Sequence, residues 1–162
     1  MAAHLFRKMN GWFPLSLMRH VVNCWPPFLG AGIRVLEGSE DFRFLKVELK
    51  RSWYNINYVG VQFGGSIYAL VDPFYMLMLM NILGREYIVW DKAARIEFLK
   101  PGKTALTAEF KISDDVINTI RERTSNGKKY VFDLPVEITD NQGLVIARVE
   151  KTLYVRLKKE GL

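Results

Sequence analysis

Two residue types that carry much of enzyme chemistry are nearly missing from this chain. Its 162 residues include one cysteine, Cys24, and two histidines, His4 and His20, both close to the N-terminus. A single cysteine excludes an intramolecular disulfide framework and a multi-cysteine zinc site. Two histidines at one end argue against a histidine triad or histidine-rich metal centre, so no metal site is expected. Catalysis would have to run on carboxylates, hydroxyls or backbone amides. The cysteine usage fits a reducing cytoplasm, the expected location. Also missing are internal repeats, a linker that would split the chain, and a signal-type apolar segment ending in a small-residue cleavage site. The 23 Lys+Arg exceed the 17 Asp+Glu by six, but the excess is spread out. No basic block is interleaved with aromatics, so no nucleic-acid partner is expected. A phosphorylated small molecule suits such a surface better. Only one apolar run, residues 66–83, is long enough to raise the membrane question. Asp72 and Pro73 stand at its middle, which favours a buried helix over stable membrane insertion.

The length suits one domain. Apolar residues from Leu5 to Trp25 recur at helical spacing until Pro26-Pro27, which predicts an N-terminal helical arm, residues 1–29. Residues 30–162 then read as a single domain. Leu45, Val47 and Leu49 alternate with charged residues after the Gly38–Asp41 turn, giving a hairpin over 33–50. The run 66–83 is apolar on every side and so predicts a helix buried all round, closed by Gly84. Period-two runs follow: Ile88, Trp90, Ala94, Ile96 and Phe98; Leu106, Ala108, Phe110 and Ile112; Tyr130 to Ile138; and Val145, Ala147, Val149, Leu153 and Val155. Ser113 reads as the N-cap of a short helix, 114–123, and Pro135 marks a bulge or an edge. The element order is α+β, with an antiparallel sheet wrapped around one central helix.

Candidate chemistry gathers where the buried helix begins. The first amides of a helix lack intrahelical partners, and the macrodipole adds partial positive charge there. Gly64-Gly65 lets a ligand approach that backbone closely, an arrangement suited to a phosphate or a developing oxyanion. Asp72 is the second feature, because an ionised carboxylate inside an apolar helix is costly unless partnered. Three readings stand open: an N-cap ahead of Pro73, a catalytic carboxylate, or a paired structural charge. The alternation through Trp90 and Ala94 puts Lys92 on the inward face. A lysine there snorkels at a strand end or pairs with a buried acid. Were that acid Asp72, the carboxylate would stay ionised but be held in place. Met76, Met78 and Met80 alternate around the helix and read as core filler.

The run from Asn57 to Asp72 resembles the active-site segment of hotdog-fold acyl-CoA thioesterases of the phenylacetic-acid-pathway type. That segment has an Asn, a Gly three residues on, His-Gly-Gly, and an Asp nine residues after the His. Asn57, Gly60, Gly64, Gly65 and Asp72 fall in register, with Phe63 where the His belongs. From about Pro26 to the C-terminus the chain is still more similar to the DUF4442 group of hotdog proteins, some of which carry the label tetrameric acyl-CoA thioesterase. Phe63-Gly64-Gly65-Ser66, Asp72-Pro73, residues 89–94, Phe98-Leu99-Lys100-Pro101-Gly102 and residues 151–156 carry that likeness. The resemblance implies a hotdog fold and an acyl-CoA thioester substrate, coenzyme A entering only as part of it and no separate cofactor. It implies Asp72 as nucleophile or as base for a water, acting from a neighbouring subunit, and the Gly64 or Gly65 amide polarising the carbonyl. Asn57 would orient water or substrate. Asn55, Phe63, Ser66 and Lys92 would line the site, and Lys100 and Lys103 would meet the phosphates. A homo-oligomer follows, a dimer or a dimer of dimers. The alternative is a non-catalytic acyl-CoA-binding module or a structural oligomer that keeps the fold without the chemistry.

Overall fold

The computed structural model describes residues 15–158. Residues 1–14 of the expected arm therefore lie outside the described residues. Helix α1 (Leu15–Asn23) turns Leu15, Met18 and Val22 inward, spaced for one helical face. Helix α2 (Pro26–Ala31) starts on Pro26 and ends at Gly32, whose φ of 79° is the left-handed conformation glycine tolerates. Strands β1 (Ile33–Gly38) and β2 (Phe44–Leu49) form the expected hairpin. Helices α3 (Gly64–Ala69) and α4 (Phe74–Leu83) follow. Then come β3 (Tyr87–Phe98), β4 (Leu106–Lys111), α5 (Asp114–Thr124), β5 (Lys129–Asp140) and β6 (Val145–Leu157). Ser113 caps α5, its hydroxyl oxygen accepting from the Val116 amide at 3.4 Å. The six strands form one antiparallel sheet in the order β1-β2-β4-β5-β6-β3. It is the α+β arrangement anticipated.

The inward faces of β2, β4, β5 and β6 close on α4, with Phe74, Met78, Leu79, Phe110, Leu153 and Val155 at the centre of the core. Phe110 takes the Phe74 and Tyr75 rings at 5.3 and 5.1 Å, separations at which aromatic pairs attract. The Tyr75 hydroxyl donates to the Pro135 carbonyl at 2.8 Å. Its burial keeps the phenol protonated, with its pKa pushed up to about 12. Pro135 sits where β5 pairs with β6 but has already lost β4, whose register ends at Ala108–Ile138. Its missing N–H therefore costs no ladder bond on that side.

Three expectations change. The long helix breaks over residues 70–73, and Pro73 precedes α4 with no side-chain cap. Nor is it buried all round: Met76, Leu77 and Met80 are only half-buried, so one flank of α4 is incompletely covered by the described residues. The third change is in β3. Val89 and Asp91 face inward opposite Val155 and Leu153, and a bulge at Lys92 shifts the phase before Ala94, Ile96 and Phe98 turn inward. Ile88 and Trp90 thus point outward, the reverse of the expected parity.

The two sheet edges differ. Asn23 grips β1 by exchanging hydrogen bonds with the Val35 backbone (3.2 and 2.7 Å), and Arg19 donates to the Leu36 carbonyl at 2.9 Å. Edge β3 is twelve residues long, has no strand beyond it among the described residues, and leaves Trp90, Phe98 and residues 92–95 exposed. A long bare edge is a pairing surface.

Candidate functional site

The site starts with the loop that delivers α3. Asn55 is buried; its amide donates to the Ala31 and Lys50 carbonyls at 2.9 and 2.5 Å and its oxygen accepts from the Ser52 amide. All its polar atoms hold the loop, so it does not line a substrate site as anticipated. The Asn57 oxygen accepts from the Val59 and Val61 amides at 3.1 and 3.2 Å, an Asx-type turn closed by Gly60 at φ 82°. Only the amide nitrogen of Asn57 is left for a ligand. Gln62, absent from the sequence-derived candidates, is buried and ties this loop to the next turn. Its backbone amide donates to Gly102 at 2.8 Å and its side chain to Thr104 at 3.1 Å.

Between those two loops lies a cleft of about 360 Å³, lined by Asn57, Gly64, Ile67, Phe98, Lys100 and Pro101 among others. Neither Gly64 nor Gly65 has positive φ, so backbone conformation does not require glycine at either place. Space is close at Gly65 and ordinary at Gly64. A Cβ on Gly65 would lie 2.4 Å from the Phe63 ring, and one on Gly64 would lie 3.4 Å from the Phe98 ring. Phe63 precedes α3 without capping it and is 55% exposed. The residue standing where a histidine was anticipated therefore lays its ring over the second glycine. Ser66 is half-buried on the next turn, and Lys100 and Lys103 are exposed on the facing one.

Asp72 does not line this cleft. It follows Gly64 by eight residues, in the break between α3 and α4. It neither caps α4 nor meets Lys92. Its Oδ1 accepts from Lys151 Nζ at 3.1 Å, and half of its side chain remains exposed. Lys151 is the inward residue between Val149 and Leu153 on β6, with only 1% of it exposed. Asp91 Oδ1 lies 3.3 Å from the same ammonium without hydrogen-bonding geometry, and the Tyr68 ring stands 5.5 Å from it. Burial pulls the Lys151 pKa down, but Asp91 and Asp72 outweigh it and leave the group above its ordinary value. Burial pushes Asp91 up, against Lys151 and with the repulsion of Asp72. Tyr68 is raised too, by burial first and then by Asp72, with Lys151 opposing.

Lys92 takes no part. Set outward by its bulge, it is exposed beside Trp90, Lys129, Tyr154 and Arg156 on the far side of the sheet. Of the anticipated residues, Asn57 and Gly64 share the cleft with Lys100, Gly65 and Phe63 adjoin it in sequence, and Asp72 stands apart with a cation the sequence reading passed over. Lys151 was visible in principle, since it falls in phase with Ala147, Val149, Leu153 and Val155. Among the described residues no cluster of His, Cys, Asp and Glu could hold a metal ion.

A family model described as a domain of unknown function, DUF4442, matches residues 16–155. No curated protein matches the chain significantly. Solved structures agree on the fold. A Pseudomonas aeruginosa protein of unknown function, described as a probable thioesterase, is 19% identical and superposes with a TM-score of 0.78, covering 92% of this chain and 99% of its own. The Escherichia coli PaaI protein of the phenylacetic acid degradation operon is 18% identical (TM-score 0.60; 87% and 91% covered). A hypothetical thioesterase from Streptococcus pneumoniae with coenzyme A is 20% identical (TM-score 0.53; 79% and 91% covered). The architecture is the hotdog fold.

Proposed function

We propose, for a chain that belongs to the DUF4442 family, that two copies pair to form a site for acyl-CoA thioester hydrolysis. In this reading the α3 amides of one copy face Asp72 of the other. The observation that carries it is the incompleteness of a single chain. Among the described residues the cleft beside Gly64 has an amide end and no carboxylate, while Asp72 holds a half-exposed carboxylate outside it, beyond the end of α3. The incompletely covered flank of α4 and the bare β3 edge are the surfaces a second copy would cover. Coenzyme A accompanies one structural neighbour, which supports a thioester of that carrier as the ligand.

The chemistry then follows from the groups. The thioester carbonyl oxygen lies against the Gly64 or Gly65 amide, which takes up the charge that develops as the carbonyl is attacked. Asp72, one oxygen anchored on Lys151, accepts the proton of a water that adds to the carbonyl carbon. The C–S bond breaks, the thiolate leaves and is reprotonated, and the acyl group departs as its acid. Asn57 steers the substrate through its amide nitrogen, and Lys100 and Lys103 meet the phosphates.

A second reading has its own support: the Phe63 ring over Gly65 and the ion-paired Asp72 suit a module that binds an acyl thioester without cleaving it. One assay separates them. Purified protein is offered short, long and aromatic acyl-CoA, with release of free thiol followed. Hydrolysis of at least one class is expected. Binding of an acyl-CoA with no thiol release across the panel would give the second reading the field.

A further inference from the structure

The loop that delivers α3 carries a surface the hydrolytic reading does not use. Trp53 is 86% exposed and Tyr58 101%, with Tyr54 and Val59 exposed beside them. An apolar group of this size on one loop calls for a covering partner. The loop is also rigid. Asn55 and Asn57 brace it from within, Ile56 bridges Gln62, and the Gln62 amide fastens it to Gly102. The backbone that carries its aromatics is thus held in place, so docking orders side chains and not the loop.

The charge around them has one sign. Between Glu48 and Asp72 the only charged residues are Lys50 and Arg51; between Glu97 and Glu109, only Lys100 and Lys103. All four are exposed, and the Gln62–Gly102 bond makes the two loops neighbours. Tyrosine and tryptophan favour the zone between lipid headgroups and acyl chains, where the ring is buried and the polar tip stays wet. Cations beside them are drawn to anionic headgroups. A projecting side chain also needs no matching groove in a bilayer. A symmetric contact with a second copy would instead oppose four cations to four.

We infer that the exposed side chains of Lys50, Arg51, Trp53, Tyr54, Tyr58 and Val59 form a docking surface for an anionic lipid bilayer, engaged peripherally and without insertion of a helix. This stands whether or not the adjoining cleft hydrolyses anything. The full-length protein is sedimented with phosphatidylcholine vesicles and with vesicles containing about 30% phosphatidylglycerol, a composition that makes the surface anionic. Trp53 emission is taken as the difference between wild type and Trp53→Phe. Binding to the anionic vesicles is expected, weakened by salt and accompanied by a blue shift of Trp53. Lys50→Glu with Arg51→Glu should lower the partition at least about tenfold, and Trp53→Ser with Tyr58→Ser should lower it too. Each pair changes only exposed loop residues, and circular dichroism checks the fold. Binding to neither vesicle, equal binding to both, or partition unchanged in the variants would overturn the inference. So would Trp53 emission already blue-shifted without lipid, which would mean that a second copy covers the loop.

Discussion

Asp72→Asn is expected to lower the acyl-CoA turnover number by about a hundredfold or more, within the range for loss of a positioned general base, and to leave the fold intact. The amide keeps an oxygen for Lys151 and nearly the same volume, so packing is preserved. Lys151 also retains Asp91 at 3.3 Å as a counter-charge. What disappears, on the proposed mechanism, is the group that accepts the proton of the attacking water. The substituted side chain is half exposed, so its stability cost stays small and the kinetic loss can be read at one temperature for both proteins. A change in KM with an unaltered turnover number would reassign Asp72 to substrate binding.

Lys151→Met has the largest expected effect on stability, a loss of about 3 kcal/mol at neutral pH, from stranding buried carboxylate charge. The methionine fills much of the lysine stem's volume, so cavity formation contributes little. Asp91 is the residue left exposed to the consequence, since its Oδ1 is already buried. Protonating it relieves the penalty, and the loss should shrink in mildly acid buffer. At the alkaline end the loss shrinks as well, because the lysine itself discharges. In the native protein Lys151 titrates above 10.5, its ordinary value. Its contribution is therefore full below that value and is lost as pH rises through the folded pKa. Denaturant titrations of wild type and variant should converge there. Adding Asp91→Leu to Lys151→Met should recover part of the neutral-pH loss; equal stability of wild type and Lys151→Met would mean the cluster contributes nothing to the fold.

How far the chain could be read before its structure depended on phase and distance. Strands β4, β5 and β6 were legible because Leu106 to Ile112, Tyr130 to Ile138 and Val145 to Val155 keep strict period two against a buried face. Lys151 sat inside one such run and escaped notice because a charge at an inward position breaks the apolar pattern that marks the face. Strand β3 misled more seriously. An extra residue at Lys92 reverses the parity halfway along, and no local signal marks a bulge of this kind. That single residue moved Lys92 outward and Asp91 inward. The break at Asp72-Pro73 was visible from the proline, but a partner 79 residues away was not. Burial of the apolar helix on every side was anticipated, whereas Met76, Leu77 and Met80 are only half-buried. Asn55 looked like a site residue because polar side chains before a helix serve turns and ligands alike.

The central claim, that one cleft takes its amides from one copy and its carboxylate from another, is tested most directly by mixing two inactive variants. Asp72→Asn removes the carboxylate and Gly64→Val blocks the cleft next to Phe98. Each alone is expected to be nearly inactive. Unfolded together, refolded and allowed to pair at random, half of the dimers are mixed, and one of the two sites in each carries neither defect. About a quarter of wild-type turnover should therefore return, as two-fold symmetry requires. A mixture that stays as inactive as its components, while light scattering shows that mixed dimers have formed, would contradict the shared site.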